Sequence, residues 1–298
     1  MSTLREDLSP ADRLQLAYLA ALAAVAAATH PHPLPLLLTI AAIAVLLVTS
    51  AFSASLTPRL RVVHDFMPIV GVIVIFNVSG VVIAAANPQR WDPTLVALDH
   101  RLFGTLPDAW MGLLGRPAWL TDLASILYAS YYVIPVVMGA ALYRRGLSRE
   151  FDHFVFTVVA TFLISYVCYF LMPAYGPRVP AHEEAVRLGG GAVSEGLRAF
   201  LAVAEVNQLD AFPSGHTALS LVFVWLGWRR FPRWRPVLVV FTAGIVFSAV
   251  YLSLHYVIDL FAGAALAALV PFIAPQLERW FDLHASSARR QGALSGRR

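Results

Sequence analysis

The sequence predicts an all-α polytopic membrane helix bundle, a fold class indicated by composition, by long apolar segments and by the placement of arginine. Of the 298 residues, 58% are hydrophobic and 13% are charged, whereas about 25% of the residues in an ordinary soluble domain are charged. The mean hydropathy is +0.67. A helix needs about 20 mainly apolar residues to cross a hydrocarbon core ~30 Å thick. Several segments meet this requirement, and we predict about eight spans.

The apolar segments also define the organisation of the chain. The predicted spans cover residues 14–29, 33–55, 66–87, 118–143, 153–172, 214–229, 235–254 and 256–276. They divide the chain into an N-terminal membrane hairpin (1–60), a six-span core (61–282) and a basic tail (283–298). The first span has an alternative, because ALAAVAAATH after Arg5 and Arg13 also suits a signal peptide or signal anchor. We favour a span that is not cleaved.

Two long loops, 88–117 and 173–213, each contain a short amphipathic pattern. Apolar residues recur there at helical spacing beside charged ones, which is typical of a helix in the membrane interface. The apolar residues are Leu95, Leu98, Leu102 and Phe103 in the first loop and Val193, Leu197, Phe200 and Leu201 in the second. We predict one outer helix in each loop.

The placement of arginine predicts the orientation in the membrane. All 22 basic residues are arginines, and with the N-terminus inside sixteen of them fall in inner segments and six in outer ones. The outer six are Arg90, Arg101, Arg116, Arg178, Arg187 and Arg198. The positive-inside rule therefore predicts an integral protein of the inner or plasma membrane with cytoplasmic N- and C-termini. The net charge of +4 is spread over loops and tail, so no nucleic-acid partner is predicted.

The segment AFPSGHTALSLVF at 211–223 places polar residues at the mouth of an apolar span. Pro213 and Ser214 suit the start of a helix, where free backbone N–H groups and the helix dipole favour an anion. Ser214, Gly215 and His216 then lie at the outer mouth of the span. The alternative is structural, with Ser214 as an N-cap and His216 as an interfacial histidine.

A second polar cluster lies in YLSLHYVIDLFAG at 251–263. His255 and Asp259 are four residues apart, so on a helix they would share a face and the carboxylate could orient or stabilise the imidazole. An aspartate just inside an apolar span is costly and is therefore predicted to be functional. The alternative is a structural pair that marks the membrane boundary.

Topology brings both clusters to the extracytoplasmic face, because the span from His216 runs inward and the next span returns outward to His255. The loop before them adds Arg178, between two prolines, which favours anion binding. With the backbone at Ser214 and Gly215, these groups would form a phosphate site. One imidazole can attack phosphorus while the other protonates the departing oxygen, since histidine titrates near neutral pH.

No cluster has the spacing of a metal site. His182, Glu183 and Glu184 are adjacent in HEEAVR, so they do not converge on one helix face. We therefore predict neither a metal ion nor another cofactor.

Three motifs resemble the signatures of the type 2 phosphatidic acid phosphatase superfamily, which includes lipid phosphatases, undecaprenyl diphosphate phosphatases and sphingolipid head-group transferases. GPRVP at 176–180 is similar to the end of the first signature and PSGH at 213–216 to the second. Ser248, HYVID at 255–259 and Gly263 are similar to the third. The resemblance extends over the six-span core and implies a metal-independent mechanism through a phosphohistidine.

The resemblance also implies a role for each site residue. His255 would be the nucleophile, Asp259 its orienting partner and His216 the general acid for the leaving group. The phosphate oxygens would be held by Arg178, Ser214 and Gly215. The substrate would be a membrane lipid, and no obligate protein partner is implied.

The chain departs from the family pattern at two cationic positions. The first signature usually opens with a lysine, and the chain has none; the third usually has an arginine where this chain has Ala249. A site with fewer cations suits a phosphodiester, which carries one negative charge. We therefore predict a phosphodiester donor, with a lipid hydroxyl as the acceptor. Three features also resemble the inositol phosphorylceramide synthase branch: LDHRLFGTLP at 98–107, LYASYYVIP with Tyr128, Tyr131 and Tyr132, and GPR at 176–178 before the loop.

The sequence leaves three functions open. The first is an inositolphosphotransferase-like enzyme that moves a phosphoryl or phospho-head group to a lipid hydroxyl, or to water. The second is a lipid phosphate or prenyl diphosphate phosphatase with the same mechanism. The third is a transporter or membrane scaffold, which is disfavoured because transporters spread polar residues over several spans and here they cluster at one end of two.

Overall fold

The computed structural model describes residues 8–29, 32–53, 58–104, 113–115, 117–177 and 190–295. Within them lie ten α-helices: α1 (Pro10–Thr29), α2 (Leu34–Ser53), α3 (Pro58–Ala86), α4 (Asp92–Phe103), α5 (Ala118–Arg144), α6 (Ser148–Leu171), α7 (Ala192–Ala204), α8 (Gly215–Arg230), α9 (Arg235–Tyr251) and α10 (Val257–Ser295). A 3₁₀ turn, Pro232–Trp234, joins α8 to α9. These residues contain no β-strand, so the predicted all-α class is confirmed.

Each of the eight predicted spans corresponds to a helix. Within the described residues, six helices are long and apolar enough to cross a membrane: α1, α3, α5, α6, α9 and α10. Helix α2 contributes a shorter apolar stretch, Leu34–Ser50, and α8 has 16 residues. The predicted polytopic membrane bundle is confirmed.

The two amphipathic patterns also form helices, α4 and α7. The apolar faces of these two helices are partly buried in the protein, since Leu95 of α4 is 0% exposed and Leu197 of α7 is 7% exposed. Leu95 packs with Ala174 and Ala211, and Leu197 packs with Tyr128. Both helices are therefore attached to the bundle near the loops that carry the predicted site.

The bundle has two ends, which are named here by the residues at either end of α8. At the Arg230 end, Arg230 pairs with Glu150 at the start of α6 with an N–O distance of 2.9 Å. At the same end, Arg13 of α1 donates to the carbonyl of Phe281 in α10 at 3.4 Å. Ser214 lies at the opposite end. The start of α1 and the last part of α10 that contacts it thus share the Arg230 end, where His153 of α6 also pairs with Glu278 of α10.

The turn between α9 and α10 corrects the spacing argument for His255. Helix α9 ends at Tyr251, three residues before the predicted span does, because Ser253 adopts a left-handed backbone with φ 57°. The backbone N–H groups of Leu254 and His255 then both donate to the Ala249 carbonyl at 3.0 Å. His255 lies in this turn, two residues before α10 begins. It therefore does not share a helical face with Asp259, although the turn still brings the two together.

Helix α10 is longer than its predicted span and continues to Ser295. Residues of good helix propensity, such as Gln276, Leu277 and Glu278, follow the apolar stretch and allow the helix to continue beyond it. The side chains of the predicted basic tail, 283–298, lie outside those that the structure describes.

Gly263 sets the distance between α8 and α10. A Cβ at this position would overlap the Ser214 carbonyl oxygen and would lie 3.1 Å from the Thr217 Cβ. Because a backbone oxygen cannot move aside as a flexible side chain can, we expect Gly263→Ala to lower the free energy of unfolding by about 1–3 kcal/mol. Thermal unfolding of the purified protein in detergent measures this change.

Gly196 provides the control for that prediction. It lies in α7, and a Cβ built there meets no atom within 4 Å. Gly196→Ala should therefore be neutral or should stabilise the helix by up to about 1 kcal/mol. Equal behaviour of the two variants would show that the contact at Gly263 is not restrictive.

Candidate active site

Ser214 caps the start of α8, as the N-cap alternative predicts. Its hydroxyl accepts hydrogen bonds from the Thr217 N–H at 3.3 Å and from the Thr217 hydroxyl at 3.1 Å. Its own N–H donates to the Asp259 carbonyl at 3.0 Å. A Cβ on Gly215 would lie 2.6 Å from the Tyr169 hydroxyl, so this helix start is closely packed. The roles of Ser214 and Gly215 as phosphate contacts stay predictions.

His216, in the first turn of α8, is buried rather than interfacial, with 6% of its surface exposed. Two tyrosine rings of α5 hold it. The Tyr128 and Tyr131 ring centroids lie 4.4 and 4.2 Å from that of the imidazole. The Tyr128 hydroxyl is also 3.2 Å from His216 Nδ1. Packing and this hydrogen bond together fix the plane of the ring.

The orientation of His255 depends on a backbone carbonyl. Its Nδ1 lies 2.9 Å from the carbonyl oxygen of Ala211 and 3.6 Å from Asp259 Oδ2. A carbonyl oxygen can only accept a hydrogen bond, so Nδ1 carries the proton and donates. In the neutral ring, the lone pair that can attack an electrophile is then on Nε2.

Asp259 connects the two histidine-bearing segments. Its side chain is fully buried, and Oδ2 accepts from the Tyr256 N–H at 2.8 Å. Its backbone carbonyl accepts from Ser214 at the start of α8. Oδ1 has no hydrogen-bond partner among the described residues. The carboxylate therefore lies close to His255, but the shorter contact of the imidazole Nδ1 is with the Ala211 carbonyl and not with Asp259.

The two predicted histidines meet at the Ser214 end of the bundle. Their ring centroids are 5.8 Å apart, although His216 and His255 are 39 residues apart in sequence. Ser214 and Gly215 directly precede His216 in the chain, and Asp259 lies 3.6 Å from His255. Arg178 and the HEEAVR residues 182–187 lie outside the described residues, so the phosphate contact assigned to Arg178 stays a prediction.

The loop that leads to Arg178 is described as far as Pro177 and is joined to both histidine segments. The Ala174 carbonyl accepts from the Ala211 N–H at 3.1 Å. Gly176 has φ 80°, and a Cβ there would lie 2.8 Å from the Leu254 carbonyl oxygen. Glycine is favoured at a positive φ and at such a close approach. The backbones that carry the three motifs are therefore in direct contact.

Helix α4 holds these loops in place with two aspartates. The Asp92 carboxylate accepts from the backbone N–H groups of Tyr175 and Gly176 at 3.1 and 2.9 Å. Asp99 accepts from the Ile258 N–H, at the start of α10, at 2.8 Å. No sequence pattern indicated this role for either aspartate.

A carboxylate that no sequence pattern indicated also lies beside His216. Glu205, which directly follows α7, has its Oε1 3.8 Å from His216 Nε2. The same oxygen accepts a hydrogen bond from the Tyr132 hydroxyl of α5. The predicted helix at 193–201 indicated that an element lay nearby, but nothing in its pattern predicted that the residue after it would contact the site.

An apolar group occupies the position where the family usually has an arginine. Ala249 is 0% exposed and packs with Tyr128 and Leu197. Its carbonyl is used by the turn before His255. Apolar packing between α5, α7 and α9 therefore occupies the place of the usual arginine, and residue 249 itself supplies no charge.

A cavity of about 890 Å³ lies at the other end of α8. Its lining includes Arg149, Trp225 and Trp228, and it contains none of the predicted site residues. Cavity volume therefore does not identify the site in this bundle, whereas the convergence of buried polar side chains does.

Comparison with known proteins agrees with the geometry. The family model for the PAP2 superfamily matches residues 93–273, which is more than half of the chain and includes every predicted site residue. Searches of curated proteins and of solved structures each return no significant match. The chain therefore belongs to the PAP2 superfamily, and this membership indicates phosphatase or phosphotransferase activity on lipid phosphates.

Proposed function

We propose that the protein is a membrane enzyme that transfers a phosphoryl or phospho-head group from a lipid phosphate ester to a lipid hydroxyl through a phosphohistidine at His255. The observation that supports this most strongly is the pairing of two buried histidines with ring centroids 5.8 Å apart. One of them, His255, has its Nδ1 proton held by a carbonyl and its Nε2 left for attack. Nucleophile and acid are thus different imidazoles.

In the first step, the lone pair of His255 Nε2 forms a bond to phosphorus. The bond between phosphorus and the leaving oxygen breaks, and its electron pair stays on that oxygen. His216, in its protonated form, gives a proton to the oxygen, so that an alcohol departs rather than an alkoxide. The positive charge on the phosphorylated His255 ring is stabilised by the Asp259 carboxylate, 3.6 Å from Nδ1.

In the second step, the acceptor hydroxyl loses its proton to His216, which is now neutral, and its oxygen attacks phosphorus. The P–N bond breaks and its electron pair returns to His255 Nε2. Both histidines are then restored to their starting states. The proposal assigns every proton transfer to histidine and uses neither a metal ion nor another cofactor.

The charge of the site supports a phosphodiester donor. Apolar packing at Ala249 replaces one of the cations that usually hold a phosphate dianion, and the chain has no lysine. Glu205 adds a negative charge beside His216. A donor with one negative charge is repelled less by this arrangement than a phosphomonoester dianion. An inositolphosphotransferase-like activity is the specific form of this proposal.

The runner-up function is a lipid phosphate or prenyl diphosphate phosphatase. It uses the same first step, with water as the acceptor in the second. Family membership favours both functions equally, because the superfamily contains phosphatases and transferases. In either case we place the site at the extracytoplasmic face, as the distribution of arginine predicts.

Mass spectrometry of reaction products separates these functions. The purified protein in lipid micelles is offered phosphatidic acid, and in a second reaction phosphatidylinositol with ceramide or with a diacylglycerol whose acyl chains differ from those of the donor. A new phosphoinositol lipid supports the proposal, whereas free phosphate from phosphatidic acid supports the phosphatase. Neither product, from a folded protein, would contradict the inositolphosphotransferase and the lipid phosphate phosphatase, and would favour a prenyl diphosphate phosphatase, a transporter or a scaffold.

The hydrogen bond from His255 to Ala211 leads to a prediction for Asp259. In a Ser-His-Asp triad, Asp→Asn lowers kcat about 10⁴-fold because the histidine takes the wrong tautomer. Here the Ala211 carbonyl fixes the tautomer, so only the stabilising charge is lost. We expect Asp259→Asn to lower kcat about 10–100-fold, a loss of roughly 1.4–3 kcal/mol at about 1.4 kcal/mol per tenfold change.

Steady-state kinetics of the purified variant test this expectation. The control is Asp152→Asn, because Asp152 lies in the first part of α6, at the far end of the bundle. Asp210→Asn is not a suitable control, because Asp210 is buried close to the site. A loss near 10⁴-fold in Asp259→Asn would mean that the carboxylate, and not Ala211, determines the tautomer.

A further inference from the structure

We propose that Glu205 is a positioning residue that acts through His216, holding the imidazole in its charged, proton-donating state during departure of the leaving group. The inference rests on the proposed function, since it assigns His216 the role of general acid. It is independent of whether the acceptor is a lipid hydroxyl or water.

The contacts of Glu205 are those of a held carboxylate. The Tyr132 hydroxyl donates to its Oε1, and the side chain is only 11% exposed, beside an imidazole that is 7% exposed. Exposed ion pairs contribute little, but partial burial reduces the screening by water. A carboxylate in this position therefore has a larger effect on His216 than a surface pair would.

The geometry favours stabilisation of charge over transfer of the proton. Glu205 Oε1 is 3.8 Å from His216 Nε2, which is within the range of an ion pair but longer than a hydrogen bond. The carboxylate can thus lower the free energy of the imidazolium without holding its proton. The ring also contacts Tyr128 and Tyr131, which are uncharged, and the second histidine, His255.

The dependence of the rate on the leaving group tests this role. A lipid alcohol is a poor leaving group and needs a proton, whereas nitrophenolate departs without one. The experiment pairs the lipid ester that the wild type cleaves, phosphatidylinositol or phosphatidic acid, with the p-nitrophenyl ester of the same phospho group. An effect that passes through the general acid appears with the lipid ester and is small with the nitrophenyl ester.

We expect Glu205→Gln to lower kcat/KM, which reports the first step, about 10–100-fold on the lipid ester, a part of the 10²–10⁴-fold that a general acid contributes. On the nitrophenyl ester it should lower kcat/KM by less than about threefold, since formation of the phosphohistidine from that ester does not need the acid. Glu205→Asp should restore part of the rate on the lipid ester, because it keeps the charge. Tyr132→Phe, which removes the donor to Glu205, should show the same preference in a weaker form.

Glu195→Gln is the matched control, because Glu195 is an exposed acid on α7; it should change neither rate. An equal loss on both esters in Glu205→Gln, or no loss on either, would overturn the inference and leave Glu205 a structural role. If Glu205→Gln does not fold, Tyr132→Phe decides between these outcomes. Failure of the wild type to act on any ester, or full activity of His255→Ala, would instead reject the proposed function itself.

Discussion

Replacement of His255 by alanine is expected to abolish the chemistry. The proposed mechanism has no other group to form the bond to phosphorus, and loss of a nucleophile lowers kcat by about 10⁴-fold or more in enzymes with covalent intermediates. The effect should be the same for a lipid ester and for a nitrophenyl ester, because attack is required in both. This equal loss distinguishes the nucleophile from the acid.

The covalent intermediate provides a direct measurement. The wild-type protein is mixed with substrate labelled in the phosphoryl group and is then rapidly denatured. It should retain label in a bond that is stable in alkali and breaks in acid, as expected for a phosphoramidate. His255→Ala should retain none. His100→Ala is the control, since His100 is an exposed histidine of α4 and should label as the wild type does. Label on the His255→Ala variant would assign the nucleophile to another residue.

Replacement of His216 by alanine is expected to have the second largest effect. The general acid contributes about 10²–10⁴-fold, and the whole of this contribution should be lost on a lipid ester. On the nitrophenyl ester most of the first-step rate should remain. Phosphorylated His255 should also accumulate in this variant, because the base of the second step is lost with the acid of the first.

The packing around His216 also predicts chemical rescue. Its ring lies between Tyr128 and Tyr131, with centroid distances of 4.4 and 4.2 Å, so truncation leaves a space between two aromatic faces that suits an imidazole. Added imidazole should restore part of the rate of His216→Ala on the lipid ester. The control is His153→Ala, because His153 pairs with Glu278 at the other end of the bundle. This variant should keep the wild-type rate, and added imidazole should not change it. Full activity of His216→Ala without imidazole would contradict the role of the acid.

Much of this bundle was predictable because apolar length and helical period are local properties of a sequence. The sequence predicts a span from His216 and a second span that returns to His255, so the two histidines were expected on one side. The outer helices at Leu95 and Leu197 were recognisable from the same period. Convergence of the histidines thus followed from topology alone.

The contacts that orient the histidines were not predictable, because they join segments far apart in sequence. The carbonyl that receives the His255 proton belongs to Ala211, 44 residues earlier, and every residue has a carbonyl, so no pattern reveals which one is used. Glu205 reaches His216 only because α7 packs on α5. The left-handed turn at Ser253 was missed for a different reason, since serine rarely adopts a positive φ.

The use of the Ala211 main chain has a consequence for how sequence change affects this enzyme. A side chain that orients a histidine can be lost in one substitution, but a peptide carbonyl is present whichever residue occupies the position. Loss of orientation at His255 therefore requires a change in the path of the chain at 211, where Ala211 is fully buried among Leu95 and Ala174. Apart from changes at the two histidines, inactivating substitutions should accordingly cluster where a larger side chain would displace this loop. Such residues need not contact the lipid substrate.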